Sequence, residues 1–177
     1  MHQKLILDKI SSVLEATNAG YADKLLQLVD KAKRVFVTGA GRSGLVSRFF
    51  AMRLMHSGYD VYMVGEIVTP SIQSGDLFIV ISGSGETETL LPLLKKAKGL
   101  GAQIAVISMK DESTMASMAD LVIQVGTAAH FVKTHGMPMG TTFELSTLIF
   151  LEAAIAKLVH DKGLTEEQMR AIHANLE

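Results

Sequence analysis

Residues 81–87, with the sequence ISGSGET, are the best guide to how this chain folds. They follow the apolar run LFIVI at 77–81, which is typical of a strand buried in a parallel sheet. They precede an amphipathic pattern that predicts a helix ending near Gly99. A glycine-rich loop at such a junction can hold a phosphate group, because backbone N–H groups approach the anion and the helix dipole favours negative charge. We predict a phosphate site that consists of Ser82, Gly83, Ser84, Gly85 and Thr87.

A nucleotide-binding loop or a simple helix cap would fit the ISGSGET segment less well. The segment contains no lysine, which excludes the nucleotide-binding loop that ends in Gly-Lys-Ser or Gly-Lys-Thr. A tight turn with a helix cap needs only one hydroxyl group, whereas this loop offers the hydroxyls of two serines and a threonine. The composition of the loop therefore favours phosphate binding.

The composition of the whole chain indicates one globular domain over residues 1–177. Hydrophobic residues make up 48% and charged residues 20% of the sequence, which excludes a disordered protein. A formal net charge of -1 favours neither nucleic acid nor an anionic membrane as a partner. The absence of cysteine excludes disulfides, thiolate metal sites and cysteine nucleophiles. Residues 1–16 mix charged and apolar residues at helical spacing, unlike a signal peptide or a membrane span, and we predict a cytoplasmic protein.

Helices and strands alternate along the chain. The patterns predict an N-terminal helix over about 3–31, with a break near 18–20, and strands at 34–38, 61–64, 77–81, 103–108 and 121–125. They predict further helices at 41–57, from the end of the ISGSGET loop to 99, at 113–118, at 142–160 and at 166–174. Because the strand segments are continuously apolar, we predict a three-layer, doubly wound α/β fold, Rossmann- or flavodoxin-like, with a parallel sheet of about five strands and helices on both faces. The α/β core covers about 34–160, and ligands bind at the carboxyl ends of its strands.

A second glycine loop, GAGRSG at 39–44, matches the pattern GxGxxG of dinucleotide-binding proteins. Glu66, near the end of the second strand, could then bind a ribose. Three observations oppose this interpretation: the ISGSGET loop would have no role, little chain remains for a separate substrate domain, and Arg42 and Ser43 add a cation and a hydroxyl that pyrophosphate binding does not need. We therefore assign Gly41, Arg42 and Ser43 to the phosphate or sugar site.

A third polar segment, PMGTTFE at 138–144, precedes the long helix. Thr141 and Glu144 have the spacing of a capping box, in which both side chains would only cap the helix. Glu144 also lies at helical spacing with Leu148, Leu151 and Ile155, on the inward stripe. A carboxylate at the top of that stripe would be partly desolvated, which raises its pKa towards that of a useful base.

With these three segments the sequence resembles the sugar isomerase (SIS) family, and within it the 6-phospho-3-hexuloisomerases. The resemblance spans most of the chain and includes GAGRSG at 39–44, FAMRLMH at 50–56, VGEIVTP at 64–70, ISGSGET at 81–87, PMGTTFE at 138–144 and HANL at 173–176. The loop at 81–87 departs from a common family pattern by the acid Glu86, which we expect to point away from the phosphate group.

The resemblance implies an isomerase of sugar phosphates. Similar enzymes interconvert D-arabino-hex-3-ulose 6-phosphate and D-fructose 6-phosphate through a cis-enediol, without a metal or other cofactor, in the ribulose monophosphate pathway of formaldehyde assimilation. It implies that Glu144 is the base and that Thr141 belongs to the substrate site. It also implies that His56 is a proton-transfer partner, either for ring opening or for the shifting oxygens, a role that could require it to reach a neighbouring subunit's site. Family members form dimers and tetramers, and the apolar side of the N-terminal helix is the predicted packing surface: Leu5, Leu7, Ile10, Val13 and Leu14.

Two alternative functions remain open at this point. One is another SIS aldose–ketose phosphate isomerase, such as one acting on arabinose 5-phosphate or sedoheptulose 7-phosphate. The arabinose phosphate enzymes usually carry an additional pair of CBS domains, which we do not expect here because the 177 residues are accounted for by the SIS domain. The other is a non-catalytic sugar-phosphate sensor, but the sequence contains no helix-turn-helix pattern or basic segment.

Several charged residues have competing interpretations. His56 ends a predicted helix, where a histidine is also favoured by the helix dipole. His173 could reach a site across a subunit interface. Arg42 could pair with Glu66 instead of binding substrate, and Arg48 and Arg53 could form salt bridges at a subunit interface. The polar segment 130–139, between His130 and Met139, is either a lid over the ligand or a solvated loop.

Overall fold

The computed structural model describes residues 2–176 and contains the predicted three-layer α/β fold. Its sheet has five parallel strands in the order β2-β1-β3-β4-β5. This strand order is that of flavodoxin-like folds. The strands are β1 (Val35–Gly39), β2 (Val61–Met63), β3 (Leu77–Ile81), β4 (Gln103–Ser108) and β5 (Leu121–Gln124).

Six α-helices accompany the sheet within residues 2–176. They are α1 (His2–Ala16), α2 (Gly20–Lys31), α3 (Gly41–His56), α4 (Leu91–Gly99), α5 (Thr141–Lys162) and α6 (Glu166–Ile172). Short 3₁₀ helices cover Ala116–Met118 and Ala128–Phe131. The predicted break in the N-terminal helix is confirmed, and there the amide of Gly20 donates to Oδ1 of Asn18 at 2.8 Å. Of the helix predicted at 113–118, only the last three residues are helical.

Two apolar layers enclose the sheet. Alternate residues of β3 point to opposite faces: Leu77, Ile79 and Ile81 pack towards α1, α2, α3 and α5, and Phe78 and Val80 pack towards α4. All five residues of β3 are buried, which explains why the run LFIVI shows no polar alternation.

The predicted packing surface on α1 is largely used within the chain itself. Ile10 and Val13 are buried, and α1 packs against α5. Leu7 is the exposed member of that apolar stripe, with 63% of its surface accessible. An amphipathic pattern cannot distinguish packing on the chain's own core from packing on a second copy. Less apolar surface of α1 is therefore exposed for a second copy than the sequence predicted.

The strand register brings the functional loops to one edge. Gly39 at the end of β1 pairs with Ile81 at the end of β3, and Ile81 pairs with Ile107 near the end of β4. The GAGRSG loop, the ISGSGET loop and the segment after Ser108 therefore leave the sheet side by side. Among residues 2–176, none of the helices combines the length and the apolar composition that crossing a bilayer requires.

Candidate active site

The three polar segments that the sequence singled out meet at one cavity of about 540 Å³. Ser43 reaches it from the GAGRSG loop, Gly83 from the ISGSGET loop, and Glu144 from the first turns of α5. The segment from Phe131 to Met139 forms much of the remaining wall, with Met109 and Phe143 as further apolar members. The structure thus places Gly83 of the predicted phosphate loop and the carboxylate of Glu144 around the same space. The other predicted phosphate-binding residues lie outside the cavity wall: Gly41, Arg42, Ser82, Ser84, Gly85 and Thr87.

The ISGSGET loop is held by its own hydroxyl groups. Ser82 is buried, its Oγ lies 2.8 Å from Oγ1 of Thr87, and it accepts the amide of Gly85 at 3.2 Å. The Oγ of Ser84 accepts the amide of Glu86 at 3.1 Å. Within residues 2–176, the amides of Gly83, Ser84 and Thr87 have no hydrogen-bond partner. Unpaired amides beside hydroxyl groups in a glycine-rich loop are suited to an anion.

Glu86 does not face the cavity. Its carboxylate accepts the amide of Thr114 at 2.7 Å, and the residue is absent from the cavity wall. This contact with Thr114 holds the pKa of Glu86 below its usual value. The departure from the family pattern therefore adds a bond to the neighbouring segment and leaves the phosphate loop unobstructed.

Glu144 lies under the cavity with 13% of its side chain exposed, paired with Arg42. The Nε of Arg42 donates to Oε2 of Glu144, and the Arg42 side chain is 60% exposed. The predicted partial burial of the carboxylate is therefore confirmed, but the carboxylate has a cationic partner that the sequence did not predict.

The predicted capping box between Thr141 and Glu144 is wrong. The residue that caps α5 is Gly140, in the left-handed conformation with φ 86°, and no side chain of the described residues caps the helix there. Glu144 is consequently the fourth helical residue instead of the third, and its amide donates to the carbonyl of Gly140 at 3.0 Å. Thr141 is buried at the first helical position and is not part of the cavity wall.

The alternative pairing of Arg42 with Glu66 is also wrong. Glu66 pairs with Arg48 at 2.5 Å and is not part of the cavity wall. Arg53 pairs with Glu152 of the same chain at 3.0 Å. Both arginines predicted to form salt bridges at a subunit interface therefore have partners within the chain, because α3 lies alongside α5 and β2.

His56 and Glu144 are not brought together in one chain. Arg42, which contacts Glu144, lies at the start of α3 and His56 at its end, and 14 residues of helix separate them by about 20 Å. His56 is buried and stacks on His173, with 5.0 Å between the ring centroids. Desolvation, with smaller contributions from His173 and Arg53, lowers the pKa of His56. The contact between these two histidines was not predicted.

The cavity includes a cation that sequence reasoning missed. Among residues 2–176, Lys133 is the one lysine or arginine in the cavity wall. It belongs to the segment 130–139, which the sequence indicated only as a lid or a solvated loop. An edge-to-face contact between Phe131 and Phe143, with centroids 6.3 Å apart, connects this segment to α5. His130 makes a local capping bond with Thr127 and lies outside the cavity wall.

Comparison with known proteins identifies the family of the chain. The sequence profile of the SIS domain matches residues 28–157. A 3-hexulose-6-phosphate isomerase of Methylomonas aminofaciens is 70% identical over 178 residues, which cover 99% of this chain and 98% of that protein. A 3-hexulose-6-phosphate isomerase of Bacillus subtilis is 42% identical and covers 88% of this chain and 86% of its own length.

A solved structure gives the same result for the fold. The crystal structure of a Methanococcus jannaschii protein, from which a molecular function of 3-hexulose-6-phosphate isomerase was inferred, is 39% identical in sequence. It superposes with a TM-score of 0.89, over 99% of this chain and 98% of that chain. The matched profile and these relatives show that the chain belongs to the SIS domain family.

Proposed function

We propose that this chain is a 3-hexulose-6-phosphate isomerase, which interconverts D-arabino-hex-3-ulose 6-phosphate and D-fructose 6-phosphate. The observation that carries the proposal is the joint position of the ISGSGET loop and Glu144 at one cavity. The loop is suited to the phosphate group on C6, and the carboxylate is suited to remove a proton from C2 or C3 of the sugar. The 70% identity to the Methylomonas aminofaciens isomerase supports the choice of substrate.

Substrate binding is assigned to three groups. The amides of Gly83, Ser84 and Thr87, with the hydroxyl groups of the loop, receive the phosphate oxygens. Ser43 is assigned to donate to a sugar oxygen, because it lies in the wall of the same cavity as Gly83 and Glu144. Lys133 supplies positive charge that the ISGSGET loop lacks.

The reaction requires a base that moves one proton between adjacent carbons. Glu144 removes the proton from C2 of the 3-ulose, the electron pair forms the C2–C3 double bond, and the carbonyl oxygen at C3 becomes an enediol oxygen. The carboxylic acid then returns a proton to C3 while the oxygen on C2 becomes the carbonyl. Arg42 keeps the carboxylate paired, and a second group must move the proton between the two oxygens.

We assign that second group to His56 of another copy of the chain. The distance of about 20 Å along α3 excludes His56 from the site that Glu144 of the same chain forms. A homo-oligomer, dimer or tetramer, would solve this by placing the end of α3 at a neighbour's cavity. An exposed apolar stripe on α3 supports self-association: Leu45, Phe49 and Met52. The cytoplasmic location and the single domain over 1–177 stay predictions.

The test is proton exchange followed by NMR, with fructose 6-phosphate and the purified protein in deuterated water. We expect deuterium at C3 together with signals of the 3-ulose, because both ketoses share the 2,3-enediol. Exchange at C1 would instead identify an aldose-forming isomerase. Binding of fructose 6-phosphate without exchange would identify a sensor and contradict the proposal.

The base is tested by Glu144→Gln, with Glu152→Gln as the matched control. Glu152 lies on the same helix and pairs with Arg53 away from the cavity. We expect Glu144→Gln to bind fructose 6-phosphate and to lose about 10²–10⁴-fold in kcat, the usual contribution of a general base. Near-full turnover by Glu144→Gln would show that another group is the base.

A further inference from the structure

The carboxylate of Glu144 lies directly over the Cα atom of Gly140. A methyl group at position 140 would lie 2.5 Å from Oε1, 3.0 Å from Cδ and 3.2 Å from Oε2 of Glu144. Real Cβ atoms essentially never approach another atom within 3.0 Å, so the carboxylate at the end of the Glu144 side chain would have to move away. The observed position of the carboxylate therefore requires that residue 140 has no side chain.

Helix geometry explains why these two residues meet. Side chains of an α-helix point towards its N-terminus, so residue i+4 covers residue i. Glu144 is four residues after Gly140, and the backbone bond from its amide to the Gly140 carbonyl fixes that relation. Because Gly140 is the cap of α5, the carboxylate also lies at the positive end of the helix dipole.

Arg42 alone cannot hold the carboxylate in place. Its side chain is long and 60% exposed, and ion pairs of exposed arginines restrain geometry weakly. The backbone at Gly140 is rigid by comparison, because it starts a helix of 22 residues that packs against α1, α2 and α3. Arg42 contacts Oε2 of the carboxylate, and the bare backbone of Gly140 leaves the space that Oε1 occupies.

We propose that Gly140 is a positioning residue for the base: it has no side chain so that the carboxylate of Glu144 can fold back over the start of α5 and meet Arg42 at the cavity. This rests on the proposed function, in which Glu144 is the base. A side chain at position 140 would push the carboxylate off its site and leave the phosphate loop unchanged. Binding would persist while turnover would fall.

Gly163 provides a control for backbone strain. It caps the other end of α5 and is also left-handed, with φ 61°, and a methyl group there would meet nothing within 4 Å among the described residues. Gly163→Ala therefore introduces strain at a left-handed residue without displacing a side chain. Gly140→Ala introduces the same kind of strain and the collision with Glu144 as well.

The first experiment compares kcat and KM of the two alanine variants. Misplacing a reacting group by about 1 Å can reduce the rate by about 10²-fold. We expect Gly140→Ala to lose kcat on that order with KM for fructose 6-phosphate within about threefold of wild type, and Gly163→Ala to keep both values within about threefold. Equal kcat values for the two variants would overturn the proposal.

A second readout does not depend on activity. In protein labelled with ¹³C at the glutamate carboxyl carbons, the Glu144 signal is identified by its loss in Glu144→Gln. We expect this signal to move to the position of solvent-exposed glutamates in Gly140→Ala and to stay unchanged in Gly163→Ala. An unmoved signal in Gly140→Ala would overturn the proposal. Wild-type protein that binds but does not turn over the sugar phosphate would contradict only the proposed function.

A double variant covers the case in which Gly140→Ala does not fold. Removing the Glu144 side chain removes the collision, so Gly140→Ala/Glu144→Ala should fold and have a melting temperature close to that of Gly163→Ala. Failure of the double variant to fold would show that the conformation of residue 140 matters and the carboxylate does not, which would overturn the proposal.

Discussion

Arg42 is the residue whose observed contact differs most from the contact that the sequence predicted. Its position in GAGRSG suggested a cation for the phosphate group, with Glu66 as an alternative partner. It pairs instead with Glu144, 102 positions away in the sequence. Because its exposed guanidinium contacts the largely buried carboxylate of Glu144, Arg42 is better suited to orient that carboxylate than to bind the phosphate group.

Replacement of Arg42 by Gln should lower kcat more than it raises KM. The variant removes the cation that contacts Glu144, and we expect kcat to fall by at least about tenfold. Arg48→Gln is the matched control, since Arg48 lies on the same helix and pairs with Glu66 outside the cavity. A rise in KM with unchanged kcat in Arg42→Gln would return Arg42 to phosphate binding. Steady-state kinetics on fructose 6-phosphate decides between these results.

Lys133 should account for part of the electrostatic attraction of the phosphate group. We expect Lys133→Ala to raise KM by about tenfold, which corresponds to one lost charge-assisted contact, and to weaken the dependence of KM on ionic strength. Lys95→Ala, on the exposed side of α4, should change neither quantity. Kinetics at two salt concentrations measures both effects. An unchanged KM in Lys133→Ala would remove this residue from the site.

Helix α3 extends from the cavity to the stacked pair of His56 and His173. It begins at the GAGRSG loop beside the cavity and ends at His56, where His173 closes over the ring. His173 directly follows α6, so the stack attaches the C-terminal helix to α3. The burial that produces this contact also makes the charged form of His56 unfavourable.

This stack should make the protein less stable in acid. The pKa of His56 is lowered from 6.5 in the folded protein, so the unfolded chain binds its proton first as the pH falls. The contribution of neutral His56 to stability is therefore complete above about pH 6.5 and is lost as the pH falls through the lowered pKa. His56→Phe keeps a ring in the stack without a titrating group and should flatten the decline of Tm between about pH 7 and pH 5. His135→Gln, at an exposed position, should keep the wild-type profile, and an unchanged profile in His56→Phe would contradict the argument.

For the whole molecule, the separation of Glu144 from His56 is the central fact. The carboxyl edge of the sheet carries the cavity, and the far end of α3 carries the paired histidines about 20 Å away. If both residues act in one reaction, a complete site contains residues of two chains. The exposed stripe of Leu45, Phe49 and Met52 on α3 is a surface on which such chains could meet.

Mixed oligomers test whether Glu144 and His56 of different chains form one active site. Glu144→Gln and His56→Phe should each be nearly inactive alone. Denatured together and refolded, they should recover about a quarter of wild-type activity, since random pairing places an intact Glu144 and an intact His56 at one site in about one of four combinations. Refolding Glu144→Gln with Glu144→Ala should recover nothing. No recovery with the first pair would show that the two residues do not share a site between chains.

The amino-acid sequence by itself determined the layers of the fold, the direction of the strands and the segments that meet at the cavity. Continuous apolar runs specify strands buried on both faces, glycines after them specify tight loops, and the carboxyl ends of parallel strands must share one edge. The position of Glu144 on the inward side of its helix followed from helical periodicity alone.

Only the tertiary structure decided which side chains are partners. Arg42 with Glu144, Arg48 with Glu66, and His56 with His173 depend on the relative positions of helices and loops far apart in sequence. Gly140 as the cap of α5 depends on how the segment before it enters the helix, and it replaced the predicted capping box. Periodicity and turn preferences are local properties that a sequence displays directly. The pairing of charged and aromatic side chains is set by packing and rotamers, which exist only once the chain has folded.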